Sequence, residues 1–211
     1  MKWSTLSFIA FDLETTGTHP AEDRVLQFGA VLCRVEDGSI VEEASLGMLC
    51  GSPVEPHPGA VKAHGITAAR VAGLPAFEDR LPEVVAFLRR ADLHVAYNAG
   101  FDLAFLRAGL RRIRCEDRPV ARCIDPMVFA RASISRRGLR RGWRLEEVAG
   151  LVEVPLPGAH DALCDARATA EVLVRLAGRM KLPEDLDALL ALQAKLDDGW
   201  YAENRWAKRT R

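Results

Sequence analysis

The sequence predicts an α/β domain with a central five-stranded mixed sheet flanked by helices, and two observations carry this expectation. The first fifty residues read as three strands in a meander, and the turn Glu36-Asp37-Gly38-Ser39 joins the last two. An Asp-Gly pair between extended runs is a hairpin signal. Beyond residue 77, short apolar runs alternate with segments of helical period, as when strands are connected through helices. Apolar residues make up 49% of the 211 and charged residues 27%, enough for a real core.

Leu6–Asp12 is apolar and β-prone and reads as a central strand, followed by loop chemistry over Thr15–Asp23. Val25–Val35 and Ile40–Cys50 form the hairpin. The Pro-rich stretch Pro53–Pro58 precedes short helical pieces around Ala60–Ala69. Phe77–Arg90 reads as a helix because Leu81, Val84, Val85 and Leu88 fall at helical spacing. Asp92–Tyr97 is the fourth strand, Phe101–Gly109 a helix stopped by its glycine, and Val120–Cys123 the fifth strand. Helices are expected at Asp125–Ala132, Leu145–Ala149, Asp161–Met180 and Pro183–Leu196. Residues 1–180 are expected to form the main domain. Residues 181–211 would be a helical tail packed on it or mediating contacts, ending in Trp200, Tyr201, Arg205, Trp206, Lys208, Arg209 and Arg211.

The five cysteines show no CxxC spacing, which argues for free thiols in a reducing compartment and against a disulfide framework or zinc ribbon. The N-terminal apolar run is too brief for a signal peptide and no later run reaches membrane-spanning length, so the expected location is the cytoplasm, with no membrane partner. Lys plus Arg and Asp plus Glu number 29 each, so net charge identifies no partner. Its distribution is more informative: between Arg107 and Arg144 twelve arginines face three acids. That bias fits either a phosphate-backbone track or an arginine-rich solvated surface.

Three acidic clusters stand out. In Phe11-Asp12-Leu13-Glu14-Thr15-Thr16-Gly17 the two acids are two residues apart, so on a strand they share a face. Two carboxylates at the end of an apolar strand are costly unless something neutralises them, and a hard divalent cation does so. The alternative is that Asp12 caps the next turn and Glu14 sits in solvent. In Asn98-Ala99-Gly100-Phe101-Asp102 the acid falls in the first turn of a helix, where it serves the macrodipole as readily as a metal. In His160-Asp161-Ala162-Leu163-Cys164-Asp165, a helix beginning near Asp161 lets His160 and Asp165 reach one point. A histidine there is able to take a proton from water, or is simply a surface residue. Asp161 reads as an N-cap.

FDLETTG, NAGFD and HDALCD, in that order, resemble the three motifs of the DEDDh exonuclease family, which includes the proofreading ε subunit of DNA polymerase III, ribonuclease T and oligoribonuclease. Val61–Thr67 resembles the family's HGIT segment, Cys123–Arg131 its D-T-L-x-L-A-R stretch, and the likeness spans Phe8–Arg175. The resemblance implies a ribonuclease H-like fold and metal-dependent 3′→5′ hydrolysis of DNA, with RNA left open, releasing nucleoside 5′-monophosphates. It implies two divalent cations, Mg²⁺ or Mn²⁺, on Asp12, Glu14, Asp102 and Asp165, with His160 as general base. It places Thr15, Thr16, Asn98 and Phe101 at the substrate. The histidine in the last motif, where another branch has tyrosine, assigns the chain to the DEDDh branch.

Two departures from the pattern are Tyr97, where the family often has histidine, and Gln27, where an acid is common. Tyr97 bears on substrate preference more than on catalysis. The partners expected are the 3′ end of a nucleic acid, DNA or RNA, and a DNA polymerase or a second copy of the chain, with the tail suited to core packing or dimer contact. The alternative to an enzyme is a non-catalytic nucleic-acid-binding module or polymerase-associated subunit. Such a module would usually have lost one of the acids, and none is missing here.

Overall fold

A computed structural model describes residues 1–135, 137, 139–140 and 142–197. The aromatic, basic stretch from Trp200 onward, together with Arg136 and Arg141, lies outside the described residues. After a 3₁₀ turn at Trp3–Thr5 come strands β1 (Phe8–Thr15), β2 (Val25–Glu36) and β3 (Ser39–Leu49). Helices α1 (Pro58–His64), α2 (Ala68–Val71) and α3 (Phe77–Leu88) lead to β4 (Leu93–Val95), α4 (Ala99–Arg112) and β5 (Arg122–Ile124). The chain continues through α5 (Pro126–Ser133), α6 (Leu145–Leu151), α7 (Ala162–Met180) and α8 (Leu186–Leu196).

The five strands form one sheet in the order β3-β2-β1-β4-β5. β1 and β2 pair antiparallel, as do β2 and β3, whereas β4 runs parallel to both β1 and β5. This is the mixed sheet that the sequence predicts. Asp37 and Gly38, with φ of 49° and 75°, make the hairpin turn between Glu36 and Ser39. Both central residues are left-handed, as a tight turn matched to strand twist requires.

β1 separates two cores. Ile9, Phe11 and Leu13 pack with α3 and α4, while Phe8 and Ala10 on the other face pack with α5, α6 and α7. The second face therefore begins apolar and turns acidic at Asp12 and Glu14. β1 extends to Thr15, past the expected end at Asp12, so both acids lie within the strand.

α4 corrects a second expectation: it runs through Gly109 to Arg112. Gly109 ends nothing; a Cβ there would sit 3.2 Å from the Phe77 ring of α3, so the missing side chain permits close helix packing. α8 packs on α5, and Leu182, Leu186 and Leu189 join the α7-side core. The Gln193 amide on α8 donates to the Cys123 carbonyl at 3.0 Å and accepts from Asp125 N–H at 2.7 Å, covering the outer edge of β5. No helix among the described residues is long and apolar enough to cross a membrane.

Candidate active site

Helix α7 buries Ala162, Asp165, Ala166, Thr169, Val172, Leu173 and Leu176, a stripe at three- and four-residue spacing. Small residues at its start let the helix lie directly on β1 and β2. The closest approach is at Gly29, the cross-strand partner of Asp12: a Cβ there would fall 2.3 Å from the backbone of Ala162 and Leu163. Asp165 occupies a position of that stripe, so the helix presses it toward the sheet beside Asp12 and Glu14. Asp102 does the same from the other side, among Ala99, Phe105, Leu106 and Gly109 on the buried face of α4.

These helix starts are fixed by specific bonds. Asp161 caps α7, accepting from Cys164 N–H at 3.1 Å. Gln27, opposite Glu14 in the sheet, donates its amide to the second Asp161 oxygen at 2.8 Å and accepts from Ala162 N–H at 3.3 Å. Burial pushes the Asp161 carboxyl up, but the Gln27 and Cys164 bonds outweigh it and hold the group below its ordinary range. The departure at Gln27 is thereby explained: an amide here donates to a carboxylate that an acid would repel. Gln27→Glu sets two carboxylates face to face. We expect it to lower stability by about 1–3 kcal/mol in chemical denaturation near neutral pH.

The start of α4 hangs on Asp125. Its carboxylate caps α5 at Met127 N–H (2.9 Å) and also accepts from Asn98 N–H (3.0 Å) and Ala99 N–H (2.9 Å). Asn98 adopts φ 61°, a left-handed turn that swings the chain from β4 into the helix. Burial pushes Asp125 up to about 7 despite those three donors. Tyr97 lies in the α7-side core and donates to the Trp143 carbonyl at 2.8 Å, so its role here is packing.

The four acids face one another with little to offset their charge. Burial, followed by Asp102, Glu14 and Asp165, raises Asp12 well above the usual carboxylate range. Burial and then Asp165 push Glu14 up to about 8. Burial raises Asp102 well above its ordinary value, against opposing backbone N–H groups, and pushes Asp165 up to about 6. Asp102 is 2% exposed and Asp165 7%. In each, Oδ1 is buried with no hydrogen-bond partner among the described residues. Buried, unpartnered carboxylate oxygens within a mutually repelling group are what a divalent cation satisfies.

His160 stands at the rim of this group with φ 67°, and its N–H donates to Asp165 Oδ2 at 3.1 Å. Ligand atoms of Glu14, His160 and Asp165 lie within 4.8 Å of one another. The imidazole Nε2 is 3.7 Å from Glu146 Oε1 in the first turn of α6. No sequence signal marked Glu146, whose partner is contributed by another element.

Beside Glu14 opens a cleft of about 450 Å³ whose walls include Leu13, Thr15, His57, His64 and Phe101. His64 Nε2 lies 3.1 Å from the Thr15 carbonyl, fastening α1 to the end of β1. Of the residues expected at the substrate, Thr15 and Phe101 line this cleft. Thr16 does not: it is fully buried, donating to Asp23 and accepting from Arg24 N–H, each at 3.0 Å. Asn98 contributes its backbone turn. The arginine-rich segment also divides. Arg112 is bound to Glu78 and to the carbonyls of Pro20, Ala21 and Asp23, bracing the loop after β1. Arg131 lies over the Trp143 ring.

An antiparallel meander continued by two parallel strands, with acids gathered at the end of the central one, is the ribonuclease H-like fold. The chain belongs to the RNase T exonuclease family, whose model matches residues 9–173. It is 31% identical over 177 residues to the PolC-type DNA polymerase III of Thermotoga petrophila, covering 83% of this chain and 12% of that protein. It is 35% identical over 181 residues to a DNA polymerase III subunit epsilon-like protein of Rhodobacter capsulatus, covering 83% of this chain and 24% of that one. The chain thus spans a quarter or less of these relatives. Among solved structures it resembles exonuclease X in complex with 5′-overhanging duplex DNA, with TM-score 0.64 and 22% identity over 88% of this chain and 99% of that one. It also resembles Escherichia coli exonuclease I in complex with a dT13 oligonucleotide, with TM-score 0.68 and 24% identity over 84% and 43% of the two chains. At these identities the likeness is one of fold.

Proposed function

We propose that the chain is a 3′→5′ exonuclease acting on DNA, with RNA the alternative substrate, and that it releases nucleoside 5′-monophosphates. The observation that carries this reading is the convergence of Asp12, Glu14, Asp102 and Asp165, with two buried carboxylate oxygens unpartnered among the described residues. Those four side chains would hold two divalent cations, Mg²⁺ or Mn²⁺. When bound, the cations supply charge neutralisation at the phosphate and a more acidic attacking water.

The protein's own groups do the rest. His160, held at the rim by its N–H bond to Asp165 and facing Glu146, takes the proton of the water. Glu146 is a positioning residue that orients the imidazole through its contact with Nε2. Leu13, Thr15 and Phe101 receive the terminal sugar and base in the adjoining cleft. Gln27 and Asp125 keep the starts of α7 and α4 in place, so that Asp165 and Asp102 stay in register with β1. Residues 1–180 form the catalytic unit and α8 secures it through Gln193. Its ε-like and PolC-type relatives support work beside a DNA polymerase, as part of a larger chain or assembly.

Linear and covalently closed circular single-stranded DNA of one sequence separate this reading from an endonuclease. We expect the linear strand to yield 5′-mononucleotides, resolved by anion-exchange chromatography, while the circle stays intact. Cutting of the circle would refute exonucleolytic action.

A further inference from the structure

The ridge of α4 that starts immediately after Asp102 carries Leu103, Arg107 and Arg111 at four-residue spacing. Together with Leu106, Leu110 and Arg118 they line a second groove of about 820 Å³ between α4 and the segment 113–120. Leu106 and Leu110 are buried beneath it, whereas Arg107, Arg111 and Arg118 are exposed along it. Arg107, Arg111 and Arg118 are exposed, and no ion pair or side-chain hydrogen bond engages them among the described residues. Of the two acids in the groove, Asp117 is already paired with Arg89, leaving Glu116 against three cations. Like charges one helical turn apart destabilise a helix by a few tenths of a kcal/mol. A groove that gathers three exposed arginines without a carboxylate partner among the described residues is matched to an anionic ligand.

We infer that this groove is a secondary track for the sugar-phosphate backbone of single-stranded nucleic acid upstream of the 3′ terminus. The inference rests on the nuclease reading and adds to it a site outside the cleft. At a rise of about 1.5 Å per residue, Arg107 lies about 7.5 Å and Arg111 about 13.5 Å along α4 from Asp102. For a stacked strand with a charge about every 3.4 Å, that is roughly two and four nucleotides upstream. A helix that contributes an acid to the carboxylate cluster at one end and arginines along its flank thus serves two parts of one polymer. Contacts to backbone phosphates carry no base information, so the groove confers length preference without sequence preference.

The test compares wild type with Arg107→Ala/Arg111→Ala/Arg118→Ala, using a dinucleotide and a 20-mer of single-stranded DNA. Affinity for the 20-mer is also measured by fluorescence anisotropy in EDTA, which needs no turnover. Loss of three phosphate contacts should flatten the dependence of log affinity on log salt by about 2 and weaken 20-mer binding about 10²-fold at 0.1 M salt. Dinucleotide hydrolysis, with no upstream phosphate to hold, should stay within twofold of wild type. Unchanged 20-mer affinity and salt slope would overturn the proposal and leave the groove to an acidic protein segment. Equal loss on both substrates would also overturn it, by tying the arginines to the chemistry. If wild type hydrolyses neither substrate, the nuclease reading fails, and the anisotropy result still decides whether the groove binds the strand.

Discussion

Replacing Asp12 by Asn is expected to abolish turnover, by about 10³-fold or more, and at the same time to make the metal-free protein more stable near pH 8. The first effect follows because removal of a cation ligand forfeits several kcal/mol of transition-state charge stabilisation. The second follows because Asp12 is raised by burial and then by Asp102, Glu14 and Asp165, so its ionised form is a liability when no cation is bound. Glu14 shows the same physics with a value attached. In the folded chain it is pushed up to about 8, against about 4.3 in an unfolded chain. Between those values the folded state binds the extra proton, so stability falls as pH rises from about 5 to 8. Divalent cation should restore it, because a ligand that binds only the folded state stabilises by mass action. Thermal melts of wild type and Asp12→Asn, with EDTA and with Mg²⁺ across that range, check both signs. Each kcal/mol appears as about 2–4 °C for a chain of this size. A loss of stability for Asp12→Asn in EDTA would mean that Asp12 serves the fold through a favourable pairing.

His160→Asn is expected to slow the chemical step by about 10²–10⁴-fold and to leave the Mg²⁺-induced rise in melting temperature intact. Asparagine is the informative replacement because it tolerates the left-handed backbone found at residue 160, where alanine adds strain. The paired readouts separate two roles that geometry alone permits, since ligand atoms of Glu14, His160 and Asp165 approach within 4.8 Å. A proton acceptor costs rate and spares cation binding. A cation ligand costs both. A variant with normal kcat would remove His160 from the mechanism altogether.

How much of this was legible in the sequence depends on the range of the interaction. The shared face of Asp12 and Glu14 follows from strand period, and the Asp37-Gly38 turn follows from residues that tolerate positive φ. The Asp161 cap follows from its place before a helical pattern, and the structure has it accepting from Cys164 N–H. Contacts between distant segments were not legible. Gln27 and Asp161 meet across 134 residues, so the glutamine read only as a missing acid. Gly109 read as a helix stop because local propensity carries no knowledge that Phe77 packs against it. Arg112 looked like one cation in a basic run, yet it braces the Pro20–Asp23 backbone. Glu146 and Gln193 carried no motif at all, and each acts on a partner contributed by another element.

The most direct test of the central claim uses 5′-labelled single-stranded DNA and RNA of one sequence, with enzyme freed of metal by EDTA and then given excess Mg²⁺. A ladder that shortens from the 3′ end is expected only after Mg²⁺ is added, with no ladder from Asp12→Ala/Glu14→Ala. The faster of the two nucleic acids identifies the preferred substrate. Equal degradation in EDTA, or undiminished degradation by the double variant, would contradict the assignment of the four carboxylates as the metal-binding catalytic site.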